Sequence, residues 1–481
     1  MPPVVAAVAA AAVVASVGVA IGAVAVSAAI FSVAATAATA GLSYAMRPRD
    51  AGTNVVSASS PAPPQPAPSN SLRTVPIRQP TPSRRYVYGQ CRTGGVLFFQ
   101  QSNNPWLYIG TLISDGTLDA ISAVYFGDTT IALDASGAAV TGTVYSGKFQ
   151  LEKGLGLPSQ AASALLAATF PTTATATFKQ SGVARAVAKM HWGADASQSA
   201  VLWGGSVSPT YLVRGVRVYD PRVVGMSQTD ATTWAYSNNP ALCVLHALTH
   251  IWDSPLAYSE VDLASVSAAA NVCDALVSVG GTSKPRFTLA GVFEAGTPVS
   301  SQISAMLAAM GGAITFNDGV YSVHADAPRT SVLTITDADV LHIGEVSFDV
   351  ATDEQFGAIS AEYFNADDAG KKNTSPQYVI DATGRATALS LLFCDQSHSA
   401  QILAYRALVK SLAKRTITLT VSDAGLWLLP HIDNVTINSA AAPMLNGEYE
   451  VTQVDLTVAG AALKLREYAP SAYADPATYL A

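Results

Sequence analysis

The pattern of apolar and polar positions changes character several times along the chain. From Pro2 to Met46 there is no charged residue, and Ala, Val, Gly, Ser and Ile make up almost the whole run. It predicts a hydrophobic helical segment over 1–46, one helix of about 60 Å or a hairpin of two shorter ones. From Tyr86 the apolar residues fall into short β-rich runs, Val96 to Phe99, Trp106 to Ile109 and Ile121 to Phe126, separated by Gly, Asn, Asp and Pro. That spacing belongs to a barrel or sandwich. Residues 131 to 200 are richer in Ala, Gly and Thr, with a short helix expected at Ser159 to Ala168 and a strand at Ala184 to Trp192.

A change of period then marks the middle of the chain. Val216 and Val218 alternate with Arg217 and Tyr219 as a strand does, and Asp220-Pro221 stops it, because proline pushes its neighbour out of the helical region and cannot donate to a ladder. Asn239-Pro240 starts a helix, asparagine as cap and proline in the first turn, with Leu242, Leu245 and Leu248 as one apolar stripe. A second helix is expected from Glu260 to Val277, carrying Val261, Val266, Val272, Leu276 and Val277. A third opens at Thr297-Pro298, with Ile303, Met306, Leu307 and Met310 inward and Gly311 at its left-handed end, before a hairpin around Asn317-Asp318-Gly319. Ser399 to Ala413 is a helix with Ile402, Tyr405, Leu408 and Leu412 on one face and Arg406 and Lys410 elsewhere. The strict alternation of Thr416, Thr418 and Thr420 with Ile417, Leu419 and Val421, followed by a hairpin of Tyr449 to Val458 and Ala462 to Tyr468, reads as a second barrel.

Composition sharpens this. A chain of 481 residues that is 49% apolar and only 13% charged has room for several cores and is poor in charge for a soluble surface, which points to surface covered by neighbours. With 27 basic against 34 acidic residues, a net −7, and no basic block outside one linker, specific nucleic-acid binding is not expected. Residues 47 to 85 hold nine of the 26 prolines and form an extended, semi-rigid linker ending in Arg73, Arg78, Arg84 and Arg85. Cys91, Cys243, Cys273 and Cys394 lie apart with no CxxC pair, as buried thiols of a protein assembled in a reducing cytoplasm would.

Candidate chemistry is sparse. His246 and His250 share a helical face as in HExxH, but Ala247 stands where the general-base glutamate belongs, so core or interface histidines are the expectation. Lys153 to Pro158, KGLGLP, has glycines without a phosphate-binding context. Asp337 with Asp339, and Asp367-Asp368, read as turn and solvated residues. No metal, cofactor or catalytic set is assigned, and the chain is not expected to be an enzyme.

DPR followed by YSNNPAL resembles the tail tip attachment proteins of lambda-like siphophages, the J-type proteins, and the wider group of phage tail hub proteins. The matching pieces are Tyr88-Gly89 and Gly94-Gly95 in YGQCRTGG, Asp220-Pro221-Arg222, Asn239-Pro240, Cys273-Asp274 in AANVCD, and Asn446-Gly447 before the final strand pair. The likeness covers about residues 75 to 470. It implies a mainly β protein with α+β parts: a first hub β-barrel at 86–230 with an inserted domain at 131–200, a small α/β domain at 231–330, and a second hub β-barrel at 331–470, with a tail at 471–481. It implies a virion protein at the tail tip, the central hub of a homotrimer whose paired barrels match a sixfold tail tube, gating genome ejection. The implied partners are the distal tail or tube ring, the tape measure protein and a separate fibre or receptor-binding protein, because the chain ends soon after its second barrel. Tyr473 and Tyr479 are candidate anchors for such a fibre, with a frayed tail as the equal alternative for residues 471–481.

The N-terminal segment, from Val4 through the Gly18 and Gly22 pair and Ile30 to Met46, needs cover by lipid or protein. Its small residues and GxxxG spacing suit close helix contact, so three copies are expected to bundle on the threefold axis and to contact the host membrane on infection. Two alternatives belong to other classes: a membrane-anchored surface adhesin built on residues 1–46, and a tail-associated cell-wall hydrolase, for which no paired-carboxylate or zinc site is visible.

Overall fold

The computed structural model describes residues 76–78, 82–192, 202–203, 208–250, 255–317, 319–348, 356–368, 370–381, 384–422, 428, 432–457 and 460–480. The expected helical segment at 4–46 and nearly all of the linker lie outside them. The fold is mainly β, built from several sheets with five short to medium α-helices among the described residues.

The strand Thr210–Val218 organises the first part. It pairs antiparallel with Leu118–Phe126 on one side and with Gln90–Thr93 and Ala235–Tyr236 on the other, in a five-stranded sheet completed by Thr129–Ile131. Its alternation is real: Tyr211, Val213, Val216 and Val218 are buried. Gly215 is required by a close crossing, since a Cβ there would stand 2.4 Å from the Val87 carbonyl oxygen. The backbone bridge confirms the approach, Gly215 N donating to Gly89 O at 2.7 Å. A second sheet runs Val96–Asn103, Trp106–Asp115, Val183–His191, Phe149–Leu155. Segment 131–200 therefore supplies two of its four strands, and its helix α1 (Ala164–Thr169), capped by Ser163, covers it through Leu166 and Phe170.

The helical part is tighter than its periodicity suggests. Helix α2 (Pro240–Thr249) is buried at all ten positions, not along one stripe. A helix without charge and apolar nearly all round belongs inside a core. Helix α3 (Leu263–Asp274) is shorter than the expected 260–277: a 3-10 turn, Tyr258–Glu260, precedes it, and Leu276 and Val277 belong to a hairpin, Leu276–Val279 with Thr282–Pro285. The reason is the Gly280-Gly281 pair, both at positive φ, which makes the two-residue turn that such hairpins need. Helix α4 (Val299–Ala308) buries Ile303, Met306 and Leu307 as expected, and Gly311 takes φ +58° before the hairpin Ala313–Asn317 with Val320–His324.

Residues 331–470 divide between two cores. Ala358–Asn365, paired parallel with Ala386–Leu391, and helix α5 (Ser397–Ser411) bury Ile359, Tyr363, Leu391, Ile402 and Leu408 in the same core as α2, α3 and the first sheets. The rest is a six-stranded sheet in the order Ser331–Thr336, Asn434–Asn438, Gly447–Thr457, Gly460–Glu467, Thr416–Val421, Val340–Ser347. It has its own core of Ile335, Ile417, Leu419, Val421, Tyr449, Val451, Leu463 and Leu465. It curves as a half-barrel, and its outer strands pair with no further strand among the described residues. The strands at 358–391 form a separate sheet that packs on the larger core.

Candidate functional site

The motif residues meet where the strand Thr210–Val218 hands over to α2 and α3. Asp220 folds back on Arg222: Arg222 Nε donates to Asp220 Oδ1 at 2.9 Å and Nη2 to Oδ2 at 2.8 Å. The same guanidinium reaches α3, with Nη2 2.9 Å from Asp274 Oδ2 and Nη1 2.9 Å from Asn271 Oδ1. An aspartate in the last turn of a helix faces the wrong end of the helix dipole, and the Arg222 charge offsets that. Partial burial pushes the Asp220 carboxyl up, but the Arg222 hydrogen bonds outweigh it and leave the group below its ordinary value.

Asn239, buried, joins the two helices. Its Oδ1 accepts from Ala241 N at 3.0 Å as the α2 cap, and its Nδ2 donates to Ala270 O of α3 at 2.9 Å; Pro240 occupies the first turn. Cys273, fully buried, lies 3.7 Å from Met310 Sδ. All four cysteines are buried and free, and burial pushes the thiols of Cys243, Cys273 and Cys394 up. Gly89 sits at φ +61° and a Cβ on it would collide with Leu289 O, while Tyr88 pairs its hydroxyl with His246 Nδ1 at 2.8 Å. Gly94-Gly95 form the turn from one sheet into the next, and Asn446, whose Oδ1 accepts from Ser439 N at 2.7 Å, opens the strand from Gly447 in the half-barrel. These last two pairs lie away from the junction.

His246 and His250 share a face as the spacing requires, with rings stacked at 4.4 Å and 6°. Their surroundings are aromatic: Trp234 is edge-on to both, Tyr86 and Tyr88 to His246, and Tyr258 to His250. Burial first, and then the neighbouring His250, holds His246 well below the ordinary imidazole value; His250 is lowered by burial. Among the described residues no three His, Cys, Asp or Glu side chains are grouped to hold a metal. Asp339 accepts from Thr336 N and Oγ1, Asp337 from Ala440 N and Ser439 Oγ, and Asp368 pairs with Lys371, all at turns. Lys153 Nζ donates to Ile121 O, so KGLGLP packs against a strand.

Arg406 and Lys410, off the apolar face of α5, are both buried on Asp326, with Arg406 Nη1 3.1 Å from Oδ2 and Lys410 Nζ 2.8 Å from Oδ1. Burial raises the Asp326 carboxyl, and Lys410 and Arg406 overcome it, holding the group well below the carboxylate range. Tyr473 and Tyr479 are anchors, but onto their own chain. Tyr473 donates to Asp326 Oδ1 at 2.8 Å under Arg406 and Lys410, and Tyr479 stacks on Tyr405 at 3.8 Å while its carbonyl accepts from Tyr378. The tail offers neither tyrosine for a fibre, because buried charge on α5 and an open aromatic face lie closer at hand.

Exposed apolar side chains are spread over the described surface; among them are Val223 and Val224 at the tip of the loop that Arg222 fastens, Leu341, Ile343 and Phe348 on and after the edge strand Val340–Ser347, and Val379 with Ile380. No described helix is long and apolar enough to cross a membrane.

No family model matches the chain, and no curated protein matches it. Among solved structures, a chain of the virion of a native gene transfer agent particle shares the fold, with TM-score 0.55 at 14% identity over 84% of this chain and 88% of that one. The 43 kDa tail protein of prophage MuSo2 from Shewanella oneidensis aligns at TM-score 0.28 and 10% identity, over 81% and 95% of the two chains. Prophage tail protein gp18 from Listeria monocytogenes EGD-e aligns at 0.27 and 12%, over 82% and 99%. The likeness to the virion component is one of fold.

Proposed function

We propose that this chain is a structural protein of a phage-type particle, the central hub at the tip of a long tail, where a homotrimer joins the tail tube to the tip and receptor-binding proteins and gates genome ejection. The supporting observation is the fold shared with a virion component over most of the chain, with Asp220, Arg222, Asn239, Cys273 and Asp274 drawn into one locked junction. The hub motifs then have a mechanical role: they fix the angle between a β region and the helices that follow. In this reading the half-barrel is one of two barrel-type units of the hub, and its outer strands face neighbours in the assembled ring. The tape measure protein, the distal tube ring and a separate fibre are the partners, and residues 4–46 bundle on the threefold axis, in or below the tube, and touch the host membrane on infection. The role needs no cofactor, catalytic group or grip on nucleic acid. Cryo-electron microscopy of intact tails tests it: three copies around the axis at the distal end are expected, and a location on the tube wall or outside the tail overturns it.

A further inference from the structure

The underside of α5 holds three polar atoms with unused hydrogen-bonding capacity. Arg286 Nε and Arg406 Nε are each buried without a hydrogen-bond partner, and the buried Tyr479 hydroxyl, which lies beside the Arg406 guanidinium, has no partner for its own proton. They belong to one place. Ser399 Oγ on α5 donates to the Arg286 carbonyl at 2.9 Å, and Arg406 lies two helical turns further along the same face. The Arg406 guanidinium stands 5.7 Å from the ring of Phe287, the residue after Arg286. Tyr479 stacks on Tyr405, next to Arg406 in the chain, and the turn Pro476–Thr478 packs against the strand Leu276–Val279 near Arg286.

The charge there does not balance. Asp326 is one carboxylate facing Arg406 and Lys410, with Arg329 close by, and Arg286 adds a further cation. Burial first, and then the Arg406 charge, pulls the Arg286 guanidinium down from its ordinary value, the opposite of what a dedicated acidic partner would do. A water molecule can satisfy a donor but cannot offset a charge. A single oxyanion can do both, accepting from two guanidinium edges and a phenol in the charge-assisted geometry that arginine provides. Arg286 is partly exposed, so the site opens to solvent on that side while Arg406 is 4% exposed at its floor.

We propose that Arg286, Arg406 and Tyr479 form an oxyanion-binding site that takes a carboxylate or phosphate group. Filling it ties the C-terminal segment at Tyr479 to α5 and to the hairpin strand ending at Pro285. The group comes either from a small anion or from an acidic side chain of a neighbouring protein, and the two sources share the same recognition chemistry.

Thermal unfolding of the full chain tests the site, with sodium phosphate, sodium acetate or sodium chloride titrated at constant ionic strength. Phosphate or acetate is expected to raise Tm along a saturable curve that chloride does not reproduce. Arg286→Gln, at a partly exposed position, should weaken the apparent affinity about tenfold or more, and Tyr479→Phe, which keeps the stacking ring, should weaken it less. Saturation by phosphate in the low millimolar range assigns a small anion. A response to both anions only at far higher concentration, still lost in Arg286→Gln, assigns a carboxylate presented by a partner. Identical responses to the three salts, or an unchanged response in Arg286→Gln, overturn the proposal.

Discussion

The junction around α2 and α3 and the six-stranded half-barrel solve different problems with the same chain. In the junction every residue of α2 is buried, and the polar groups that enter are paired internally, Asn239 with the Ala241 and Ala270 backbone, Arg222 with Asp220, Asp274 and Asn271, and Tyr88 with His246. The half-barrel buries one face, and its edge strand Val340–Ser347 has five successive exposed positions, Leu341 and Ile343 among them. That strand also carries two register irregularities, which blunt an edge against indiscriminate pairing while leaving it available to a fitted neighbour. A region whose bonding capacity is used up internally is suited to hold an angle; a region with capacity left over is open to a partner.

Substitutions should separate the two. The largest effect is expected from Asp326→Ala, which strands Arg406 and Lys410 in the core and costs about 3–5 kcal/mol in denaturant unfolding. Because the native Asp326 pKa is depressed, its contribution is complete above the unfolded value near 4 and is lost only as pH falls through the lower native value, so the wild type should keep it down to strong acid. Arg222→Ala should cost about 1.5–3 kcal/mol, and Arg222→Lys should recover only part, since an ammonium cannot hold Asp220, Asp274 and Asn271 in one plane.

The histidine stack gives the junction an acid limit. With the native pKa of His246 depressed, the unfolded chain takes up a proton below about pH 6.5 that the folded chain does not, so stability declines with falling pH, by up to about 1.4 kcal/mol per unit for this group. His246→Phe should flatten that slope in unfolding curves recorded between pH 7 and 5; an unchanged slope would remove the stack as its source. The smallest effect on the isolated chain is expected from Ile343→Lys, within about 0.5 kcal/mol because the position is exposed. Its consequence should appear in assembly, as a lower oligomer fraction in light scattering. If it unfolds the chain instead, the edge is structural and the contrast between the two regions fails.

Local chemistry carried the sequence reading far. The proline stop at Asp220-Pro221, the Asn239-Pro240 cap, the Gly311 terminus and the Thr416–Val421 alternation are each decided by a few neighbouring residues, and each stands where it was expected. What was missed depends on distant partners. No local pattern shows that Arg406 and Lys410 are buried, because Asp326 lies 80 residues before Arg406. The tail tyrosines look free because Tyr378 is 101 residues from Tyr479. The Gly280-Gly281 turn was legible and would have shortened α3 correctly. That Arg222 and Asp274, 52 residues apart in the sequence, form one clamp is likewise a fact of the folded chain.

The most direct test of the hub assignment is the copy number and position of this chain in an intact tail. An electron cryo-microscopy reconstruction should resolve three copies at the distal end, with the Val340–Ser347 edge against a neighbouring subunit and the Arg222 junction facing no partner with its charged groups. Six copies in the tube, one copy off the axis, or an edge strand bare to solvent in the assembled particle would contradict it.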